Sequence, residues 1–317
     1  MGNVLLLTGT TGFVGSALLS ELKKLSDLRV VGAVRSGVSD DSVVVGDIDG
    51  STDYSSALND VNVVVHVAAR AHIMRDEVAD PLTEYRKVNV EGTLNLARQA
   101  ADAGVKRFIY VSSIKVNGES TSACPAFTVE AIPAPEDPYG LSKYEAEVGL
   151  RKLAQQAGMT VVIVRPPLVY GPGVKANFLN LLKLSSTGLP LPFGMLSNQR
   201  SMIYVENLVD FIIKCIDHPA VANQTFLVSD GNDVSLRDLV VLMRRSMRRA
   251  PRLLPVPVSL FKLVGCLTGK RALVDRLIGD LQVDSSKART LLNWTPPYTL
   301  EQGIELTVDD FVSRNKP

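Results

Sequence analysis

The sequence predicts an α/β protein with a doubly wound parallel sheet, and two patterns support this fold class. Apolar runs of strand length alternate with helical patterns from the start of the chain to about residue 165. The first run, at residues 4–7, is continuously apolar, which is typical of a strand covered on both faces of a parallel sheet. Prolines and glycines then cluster at 166–173, and helical patterns follow. We therefore predict a first domain at 1–166 and a smaller, mostly helical lobe at 167–317.

The elements of the first domain follow one another at a regular pace. Its predicted strands lie at 4–7, 29–34, 43–45, 62–67, 106–111 and 160–164, and its predicted helices at 17–25, 54–58, 81–101 and 138–157. In the second lobe, helices are predicted at 205–216, 236–247, 260–267, 285–292 and 300–312. Strands that alternate with helices in this way favour a single parallel sheet with helices on both faces.

The overall charge argues against several classes of partner. The 317 residues carry a net charge of +1, which gives no indication of binding to nucleic acid or to a membrane. Four arginines form one local cluster: Arg244, Arg245, Arg248 and Arg249. Their helical spacing predicts a solvated helix face, and contact with phosphates or lipid headgroups is the less favoured alternative.

The cysteines and histidines give no indication of a metal site or of disulfides. The three cysteines (Cys124, Cys215 and Cys266) are far apart, and the three histidines (His66, His72 and His218) lack ligand spacing with acids. The first residues enter a strand without the pattern of a signal peptide, and the apolar stretch 256–267 is too short to cross a bilayer. A cytoplasmic location is therefore expected.

A glycine-rich turn follows the first strand at once. Gly9, Gly12 and Gly15 are spaced Gly-x-x-Gly-x-x-Gly and lead into a helix. Such a turn lets the backbone approach a pyrophosphate, and the helix N-terminus offers it free N–H groups. A loop without a ligand is the alternative, because glycine patterns alone are weak evidence. We predict a Rossmann-type dinucleotide site in which Thr11, Phe13 and Val14 join Gly9 and Gly12.

A second motif pairs a tyrosine with a lysine. Tyr139 and Lys143 are four residues apart and hence on one helix face. A cation one turn away is expected to lower the pKa of the phenol toward the working range of a proton donor. Ser113 follows the fifth strand, at the sheet edge where ligands of such folds bind. Alone, such a pair would indicate only two neighbours on a helix surface. Because it follows a predicted cofactor turn and a strand that ends in a serine, it predicts catalytic residues.

In sum these motifs resemble the extended short-chain dehydrogenase/reductase family, and specifically its nucleotide-sugar epimerases and ketoreductases. The resemblance covers almost the whole chain, in order. Its pieces are Thr8-Gly-Thr-Thr-Gly-Phe-Val-Gly15, His66-Val-Ala-Ala69, Asn89-Val-Glu-Gly-Thr93, Val111-Ser-Ser-Ile-Lys-Val-Asn-Gly118, Tyr139-Gly-Leu-Ser-Lys143, Arg165-Pro-Pro, Arg200-Ser-Met-Ile-Tyr-Val-Glu-Asn-Leu208, Asp284-Ser-Ser-Lys-Ala288 and Leu292-Asn-Trp294.

The resemblance implies roles for individual residues. Ser113, Tyr139 and Lys143 would be catalytic. The cofactor would also contact Asp47 and Ile48 at its adenine, and Ala68, Ala69, Pro166, Tyr139 and Lys143 elsewhere. Asn89 would be structural or near the cofactor, and His66 is interpreted as a packed residue at a strand end. The substrate would contact Ser112, Asn177, Phe178, Pro192, Phe193, Arg200 and, as a weaker candidate, Arg276. Asn177 could equally be a helix cap.

Three departures from the family pattern bear on the reaction. Arg35 ends the second strand, where members that prefer NAD usually carry an acid, so NADPH is favoured over NAD. Ile114 and Lys115 stand where the family's 4,6-dehydratases carry an Asp-Glu pair, which disfavours dehydration. Asn117 replaces a tyrosine common in UDP-galactose 4-epimerases.

These observations lead to a functional expectation. The favoured function is a 4-ketoreductase of a UDP-4-keto-6-deoxy amino sugar, as used in bacterial surface polysaccharide synthesis. The alternatives are a UDP-glucose or UDP-N-acetylglucosamine 4-epimerase and a non-catalytic dinucleotide sensor, which would typically lack the Tyr–Lys pair. The resemblance also implies a homodimer formed through the helices at 81–101 and 138–157.

Overall fold

The computed structural model describes residues 3–37, 41–70 and 80–315. His72 lies outside the described residues. Seven parallel strands of these ranges form the main sheet: β1 (Asn3–Thr8), β2 (Leu28–Val34), β3 (Ser42–Val44), β4 (Val63–His66), β5 (Arg107–Val111), β6 (Thr160–Arg165) and β9 (Thr225–Leu227). Their order is β3-β2-β1-β4-β5-β6-β9, and a separate parallel pair joins β7 (Leu168–Tyr170) to β8 (Met202–Tyr204). The predicted fold class is confirmed.

Helices cover both faces of the main sheet. In chain order the helices of the described residues are α1 (Phe13–Leu22), α2 (Pro81–Arg86), α3 (Thr93–Asp102), α4 (Pro138–Ala157), α5 (Ala176–Ser186), α6 (Val205–Asp217), α7 (Leu236–Ser246), α8 (Val258–Leu267), α9 (Arg271–Ile278), α10 (Ser286–Leu292) and α11 (Leu300–Arg314). Helices α5, α7, α8, α9 and α11 have core residues away from the main sheet. One core lies between the sheet and α1 with α6, and a second lies between the sheet and α3 with α4. Alternate residues of β1 enter opposite cores, with Leu5 in the first and Leu6 in the second.

The strand register brings the predicted site residues to one edge. Thr8 of β1 is level with Ala33 of β2 and with His66 of β4, and His66 is level with Tyr110 of β5. Because parallel strands end together, the segments that follow β1, β2, β4, β5 and β6 open at the same side.

Two elements of the first half differ from the sequence prediction. Residues 54–58 form hydrogen-bonded turns instead of a helix, because side chains of α3 satisfy this backbone: Gln99 accepts from the Tyr54 N–H at 2.8 Å and donates to the Thr52 carbonyl. The predicted helix at 81–101 is divided into α2 and α3 by a π-helical stretch, Lys87–Gly92.

The second half contains more elements than its pattern predicted. Neither α5 nor α9 was predicted, and neither were β7, β8 and β9. Both β9 and α6 lie beyond residue 166 and yet belong to the main sheet and its core. The boundary at 166/167 stays a prediction about domains. The predicted solvated arginine face is wrong at Arg244, which is buried and donates to the carbonyls of Ser185, Leu189 and Arg252.

A buried ion pair holds α4 against β6. Arg165 binds Glu147 in two parallel contacts, from Nε to Oε1 at 2.9 Å and from Nη2 to Oε2 at 2.6 Å. Both side chains are almost fully buried. Ser112 donates to Glu147 at 2.6 Å, and Arg165 also donates to the Asn117 side chain at 2.9 Å. Strands β5 and β6, the loop after β5 and helix α4 therefore meet at one charged pair.

Replacing Glu147 with Gln is expected to destabilise the protein strongly, because Arg165 would remain buried without a compensating charge. Loss of one partner of a buried pair costs about 3–5 kcal/mol of unfolding free energy. Urea denaturation followed by circular dichroism measures this change. The matched control is Glu145→Gln, two residues away on α4, which removes an ion pair with Arg86 that is much more exposed and costs about 0–1 kcal/mol. Equal losses in the two variants would contradict the role of the buried pair.

Candidate active site

The glycine turn is closely packed and leaves no room for larger side chains. Gly9 has a φ of +76°, and a Cβ there would lie 2.7 Å from the backbone nitrogen of Ala68. A Cβ on Gly15 would lie 2.0 Å from the carbonyl oxygen of Gly9. The turn therefore requires glycine at both positions, and it brings the end of β1 against the segment after β4.

This turn fits the pyrophosphate of a dinucleotide. Gly12 is the N-cap of α1, and Thr11 and Gly12 are exposed at the sheet edge. Phe13 and Val14 form the first turn of α1, so their N–H groups have no acceptor within the helix. Ala68 donates its N–H to the Thr8 hydroxyl at 3.2 Å, which holds Ala68 beside Gly9. Open N–H groups and a positive helix end are the donor set that a pyrophosphate requires.

The ends of β2 and β3 carry the residues predicted for the adenosine half. The Arg35 and Asp47 side chains are 77% and 87% exposed, with 3.9 Å between Arg35 Nη1 and Asp47 Oδ1. Such a distance and exposure indicate a loose pair that leaves the guanidinium accessible to an anionic ligand. Ile48 is half-buried and packs closely against Gly92, where a Cβ would lie 2.6 Å from its Cγ2.

Ser113 and Tyr139 are brought together at the end of β5. Burial raises the pKa of the Tyr139 phenol, Asp137 and Tyr85 raise it further, and a hydrogen bond with Ser113 lowers it. The Tyr85 ring meets the Tyr139 ring edge to face, with centroids 6.0 Å apart. Asp137 caps α4 by accepting from the Gly140 N–H at 2.7 Å, which fixes the helix start immediately before Tyr139.

Lys143 is buried one helical turn further along α4. Its ammonium donates to the Val111 carbonyl at 2.9 Å and lies 4.5 Å from the centroid of the Tyr110 ring. Burial lowers the pKa of Lys143 to about 7, and the Glu147 carboxylate opposes this shift. A large fraction of the amine is therefore neutral near pH 7.

The sequence-based expectation of a lowered phenol pKa is wrong for this structure. The pKa of Tyr139 is raised because burial outweighs the other influences. Lys143 is directed to the Val111 carbonyl and the Tyr110 ring, and its own charge is weakened by burial. The phenol is therefore protonated at neutral pH and suited to donate a proton.

His66 and Asn89 have structural surroundings. The His66 ring lies between the hydroxyls of Thr8 at 2.8 Å and Thr93 at 3.0 Å, and burial lowers its pKa to about 3, with a smaller effect of Lys143. It is a packed histidine, as predicted. Asn89 accepts from the N–H of Arg70 at 2.9 Å and donates to the hydroxyl of Ser142 at 3.0 Å. It thus connects the segment after β4 to α4 next to Lys143.

Several residues predicted to bind substrate, and Pro166, predicted to contact the cofactor, are buried in the packing of the fold. Phe178 is buried in the core of the second half, where it stacks on Tyr170 with centroids 5.5 Å apart. Ser112 is buried against Glu147, and Pro166 is buried with its carbonyl accepting from Ile114. Asn177 is exposed in the first turn of α5, whose N-cap is Lys175, so the helix-cap alternative is wrong. We leave Phe178 and Ser112 out of the proposed site.

Arg200 contacts the backbone of Arg276, which lies in α9. Arg200 Nη1 donates to the carbonyls of Arg276 at 2.9 Å and Gly279 at 3.1 Å. The loop with Pro192 and Phe193 is joined to residues 252–254 by backbone hydrogen bonds and leads toward α8, where Phe193 stacks on Phe261.

A chain of ion pairs links Arg276 of α9 to Asp137, the N-cap of α4. Arg276 binds Glu119 through Nε at 2.8 Å and Nη2, and Glu119 accepts from Lys115 at 3.0 Å. Lys115 also pairs closely with Asp137, the cap of α4. The sequence analysis had named Arg276 and Lys115 but not Glu119 or Asp137, because no motif marked these two acids. Glu147 was missed as well, although its spacing of four from Lys143 places it on the same helix face.

These features define a class of α/β protein with a glycine turn that fits a dinucleotide after β1 and with a serine and a tyrosine in contact after β5, on the same edge of the sheet. Comparison with known proteins identifies the family: residues 5–229 match the NAD dependent epimerase/dehydratase family, and the chain belongs to it. The prediction of an enzyme of the extended short-chain dehydrogenase/reductase type, in its nucleotide-sugar group, is confirmed at this level.

Relatives and solved structures agree with this assignment. A UDP-glucose 4-epimerase of Vibrio cholerae is 53% identical over 99% of this chain and 97% of its own. An N-acetyl-α-D-glucosaminyl-diphospho-ditrans,octacis-undecaprenol 4-epimerase of Escherichia coli O157:H7 is 29% identical over 100% and 98%. A UDP-glucuronic acid 4-epimerase from Bacillus cereus, solved with UDP-glucuronic acid and NAD, has the same fold, with a TM-score of 0.79, 22% identity and coverage of 98% and 99%.

Removing the charge of Lys115 is expected to raise the pKa of Tyr139, because Asp137 would then act on the phenol without its cationic partner. A group that must be protonated to donate loses activity above its pKa, so the basic limb of the rate profile should move to higher pH. For Lys115→Met we expect a shift of about 0.5–1 pH unit, which corresponds to about 0.7–1.4 kcal/mol. The pH dependence of kcat/KM measures it.

Lys115→Arg is the matched control for this prediction, because it retains the cation between Asp137 and Glu119. Its basic limb should coincide with that of the unmodified enzyme. A Lys115→Met limb at the unmodified position would show that Lys115 does not act on Tyr139.

Proposed function

We propose that this protein is a 4-ketoreductase that reduces the carbon 4 carbonyl of a UDP-4-keto-6-deoxy amino sugar with NADPH. The observation that carries the proposal is the contact between Ser113 and a half-buried, protonated Tyr139 at the end of β5, on the same sheet edge as the glycine turn. A reductase needs a proton donor at this position, and a raised phenol pKa keeps the proton on Tyr139 until the substrate oxygen takes it.

The proposed step uses three side chains. A bound nicotinamide cofactor would supply the hydride for carbon 4 of the sugar. Tyr139 gives its proton to the oxygen on carbon 4 as the carbonyl becomes a hydroxyl, and the phenolate regains a proton from water. Ser113 donates a hydrogen bond to the same oxygen and holds it near the phenol. Lys143, partly neutral when the site is free, becomes more favourably protonated as the phenolate forms, which stabilises that charge.

The cofactor end of the proposal depends on Arg35. Its guanidinium is exposed and only loosely paired with Asp47, so it is available to bind a 2′-phosphate. The glycine turn holds the pyrophosphate, and Ile48, Ala68 and Ala69 line the cofactor, as the resemblance implies. NAD is the alternative cofactor.

The loop after β5 supports reduction over dehydration. Ile114 is buried, and Lys115 is held between Glu119 and Asp137 in ion pairs. Neither side chain is free to abstract or deliver the protons that elimination of water from the sugar requires. A 4,6-dehydratase is therefore not proposed.

A second candidate function is a UDP-sugar 4-epimerase, favoured by the name of the Vibrio cholerae relative. An epimerase must first remove a proton from the sugar hydroxyl, and the raised pKa of Tyr139 opposes that step. The deciding assay supplies a UDP-4-keto-6-deoxy amino sugar with NADPH and, separately, UDP-glucose and UDP-N-acetylglucosamine with NAD. Turnover only in the second arm would replace the proposal with the epimerase.

The carrier of the sugar is part of the proposal as well. Arg200, with Pro192, Phe193 and Asn177, would bind the diphosphate and uridine of a UDP-sugar. The Escherichia coli relative is named for a sugar diphosphate on undecaprenol, so the assay includes a polyprenyl-diphosphate sugar as a third arm. A cytoplasmic location and a homodimer through residues 81–101, which span α2 to α3, and residues 138–157 of α4 remain predictions, and sedimentation velocity tests the dimer.

Replacing Tyr139 with Phe is expected to lower kcat roughly 10²- to 10⁴-fold, the range for a lost general acid, because the ring volume stays while the proton is removed. Steady-state rates on the accepted substrate measure this, and thermal unfolding checks that the fold is retained. The matched control is Tyr144→Phe, the same change on the same helix. If Tyr139→Phe turned over as fast as Tyr144→Phe, Tyr139 would not be the proton donor.

Replacing Arg35 with Asp is expected to weaken NADPH binding about tenfold while leaving NADH binding little changed. The estimate takes the lower end for a charge-assisted contact, about 1.5 kcal/mol, because Arg35 is exposed. Fluorescence titration with each cofactor measures both affinities. Arg29→Asp, the same change at the other end of β2, is the control. Equal NADPH affinities in the two variants would remove Arg35 from the cofactor site.

A further inference from the structure

Helix α8 and the residues around it expose a continuous set of large apolar side chains. This set, the apolar hairpin face, comprises Leu254, Val258, Leu260, Leu263, Val264, Leu267 and Leu273. Leu267 is 76% exposed and Leu273 is 64% exposed, which is far more than a leucine at the margin of a core. Soluble proteins expose single apolar residues commonly, but a cluster on one helical hairpin marks an interaction surface.

The attachment of α8 to the protein explains this exposure. Phe261 stacks on Phe193 with centroids 6.3 Å apart. Gly265 is buried against Val274 of α9, where a Cβ would lie 2.9 Å from that side chain. These two positions, four residues apart, form a narrow stripe that faces the protein. The remaining apolar positions of α8 face away from it, so the helix has far more apolar surface than its own fold buries.

The charges around the face have mostly one sign. Between residues 252 and 276 the sequence has five cationic side chains (Arg252, Lys262, Lys270, Arg271 and Arg276) and a single acid, Asp275. Asp275 lies 3.7 Å from Arg271 in an exposed pair. The whole chain has 34 basic and 33 acidic residues, so this excess is a local property of the hairpin.

We propose that the apolar hairpin face docks on the surface of a membrane that contains anionic lipids. Its leucines and valines would enter the boundary between headgroups and acyl chains, and Lys262, Lys270 and Arg271 would contact lipid phosphates. The ten residues of α8 are too few to cross a bilayer, and among the described residues no helix is long and apolar enough to do so. The mode is therefore interfacial.

The charge pattern favours a lipid surface over a second copy of the chain. Two copies that met at this face would bring together more cationic side chains than acids, because the acids at the face are Asp275, paired with Arg271, and Glu119, paired with Arg276. An anionic membrane complements both the apolar and the cationic parts of the face. The net charge of the chain had given no indication of a membrane, because the local excess is balanced by acids elsewhere.

Docking would place one side of the proposed substrate site at the membrane. The carbonyl of Arg276 in α9 accepts from Arg200, and residues 252–254 pair with the loop that holds Pro192 and Phe193. Docking on a membrane does not depend on the proposed reaction, because vesicle binding is measured without turnover.

Co-sedimentation of the full chain with vesicles tests the proposal. We expect the protein to sediment with vesicles of phosphatidylglycerol and phosphatidylcholine, and much less with phosphatidylcholine alone. The double variant Leu263→Glu/Leu267→Glu should bind the anionic vesicles at least about tenfold more weakly, because both apolar contacts are lost and two repelling charges are added. Its thermal midpoint should match that of the unmodified protein, since both side chains are exposed.

Leu306→Glu/Val312→Glu on α11 is the matched control, with the same added charge at exposed apolar positions of another helix. It should bind anionic vesicles much as the unmodified protein does. Failure of the unmodified protein to sediment with anionic vesicles would overturn the proposal, and so would equal losses in the two double variants. Sedimentation velocity of Leu263→Glu/Leu267→Glu supplies a third test: dissociation of an oligomer would assign the face to a second copy instead.

Discussion

The buried pair of Glu147 and Arg165 determines where helix α4 lies. A buried ion pair is not a strong source of stability, since desolvation of both groups offsets most of their attraction. Its effect is directional: two parallel contacts at 2.9 and 2.6 Å allow only one rotation of α4 relative to β6. The same rotation directs Lys143 to the Val111 carbonyl and places Tyr139 beside Ser113. A hydrophobic contact of similar area would tolerate sliding by a fraction of a turn, and the site would lose its geometry.

The pKa values of Tyr139 and Lys143 depend on burial and on a few neighbouring charges. Burial raises the pKa of the Tyr139 phenol and lowers the pKa of the Lys143 amine, so the phenol holds its proton more firmly and the amine holds its proton less firmly than usual. Asp137 adds to the first effect, but it is needed as the cap of α4, and Lys115 partly neutralises it. The capping requirement and the proton chemistry are thus coupled through one residue. This coupling gives a physical reason for a lysine in the loop after β5.

The sequence was sufficient to predict the part of the fold in which local pattern and tertiary structure agree. Each predicted strand up to β6 ends within one residue of its position in the structure, because a strand covered on both faces has an unbroken apolar run. The helix that begins at Pro138 was predicted with its full bounds, since proline marks its first turn and a glycine with positive φ follows its end. The prediction of a helix at residues 54–58 was wrong because side chains of α3 bind the backbone at the start of this segment: Gln99 accepts from the Tyr54 N–H, and Asn95 and Gln99 donate to the Thr52 carbonyl.

The electrostatics of the site and the elements of the second half were harder to predict from the sequence, for a related reason. Both depend on burial that only the assembled fold creates. Arg244 has the sequence context of a surface arginine, yet three backbone carbonyls from different segments surround it. Tyr139 and Lys143 have the spacing of an interacting pair, yet Lys143 is directed to the strand instead. Helix α8 shows the reverse case. Its composition is that of a core helix, but most of it is exposed because only a narrow stripe, with Phe261 on Phe193, packs against the rest of the fold. Spacing therefore predicts which residues share a helix face, and the packing around that face decides their protonation and their partners.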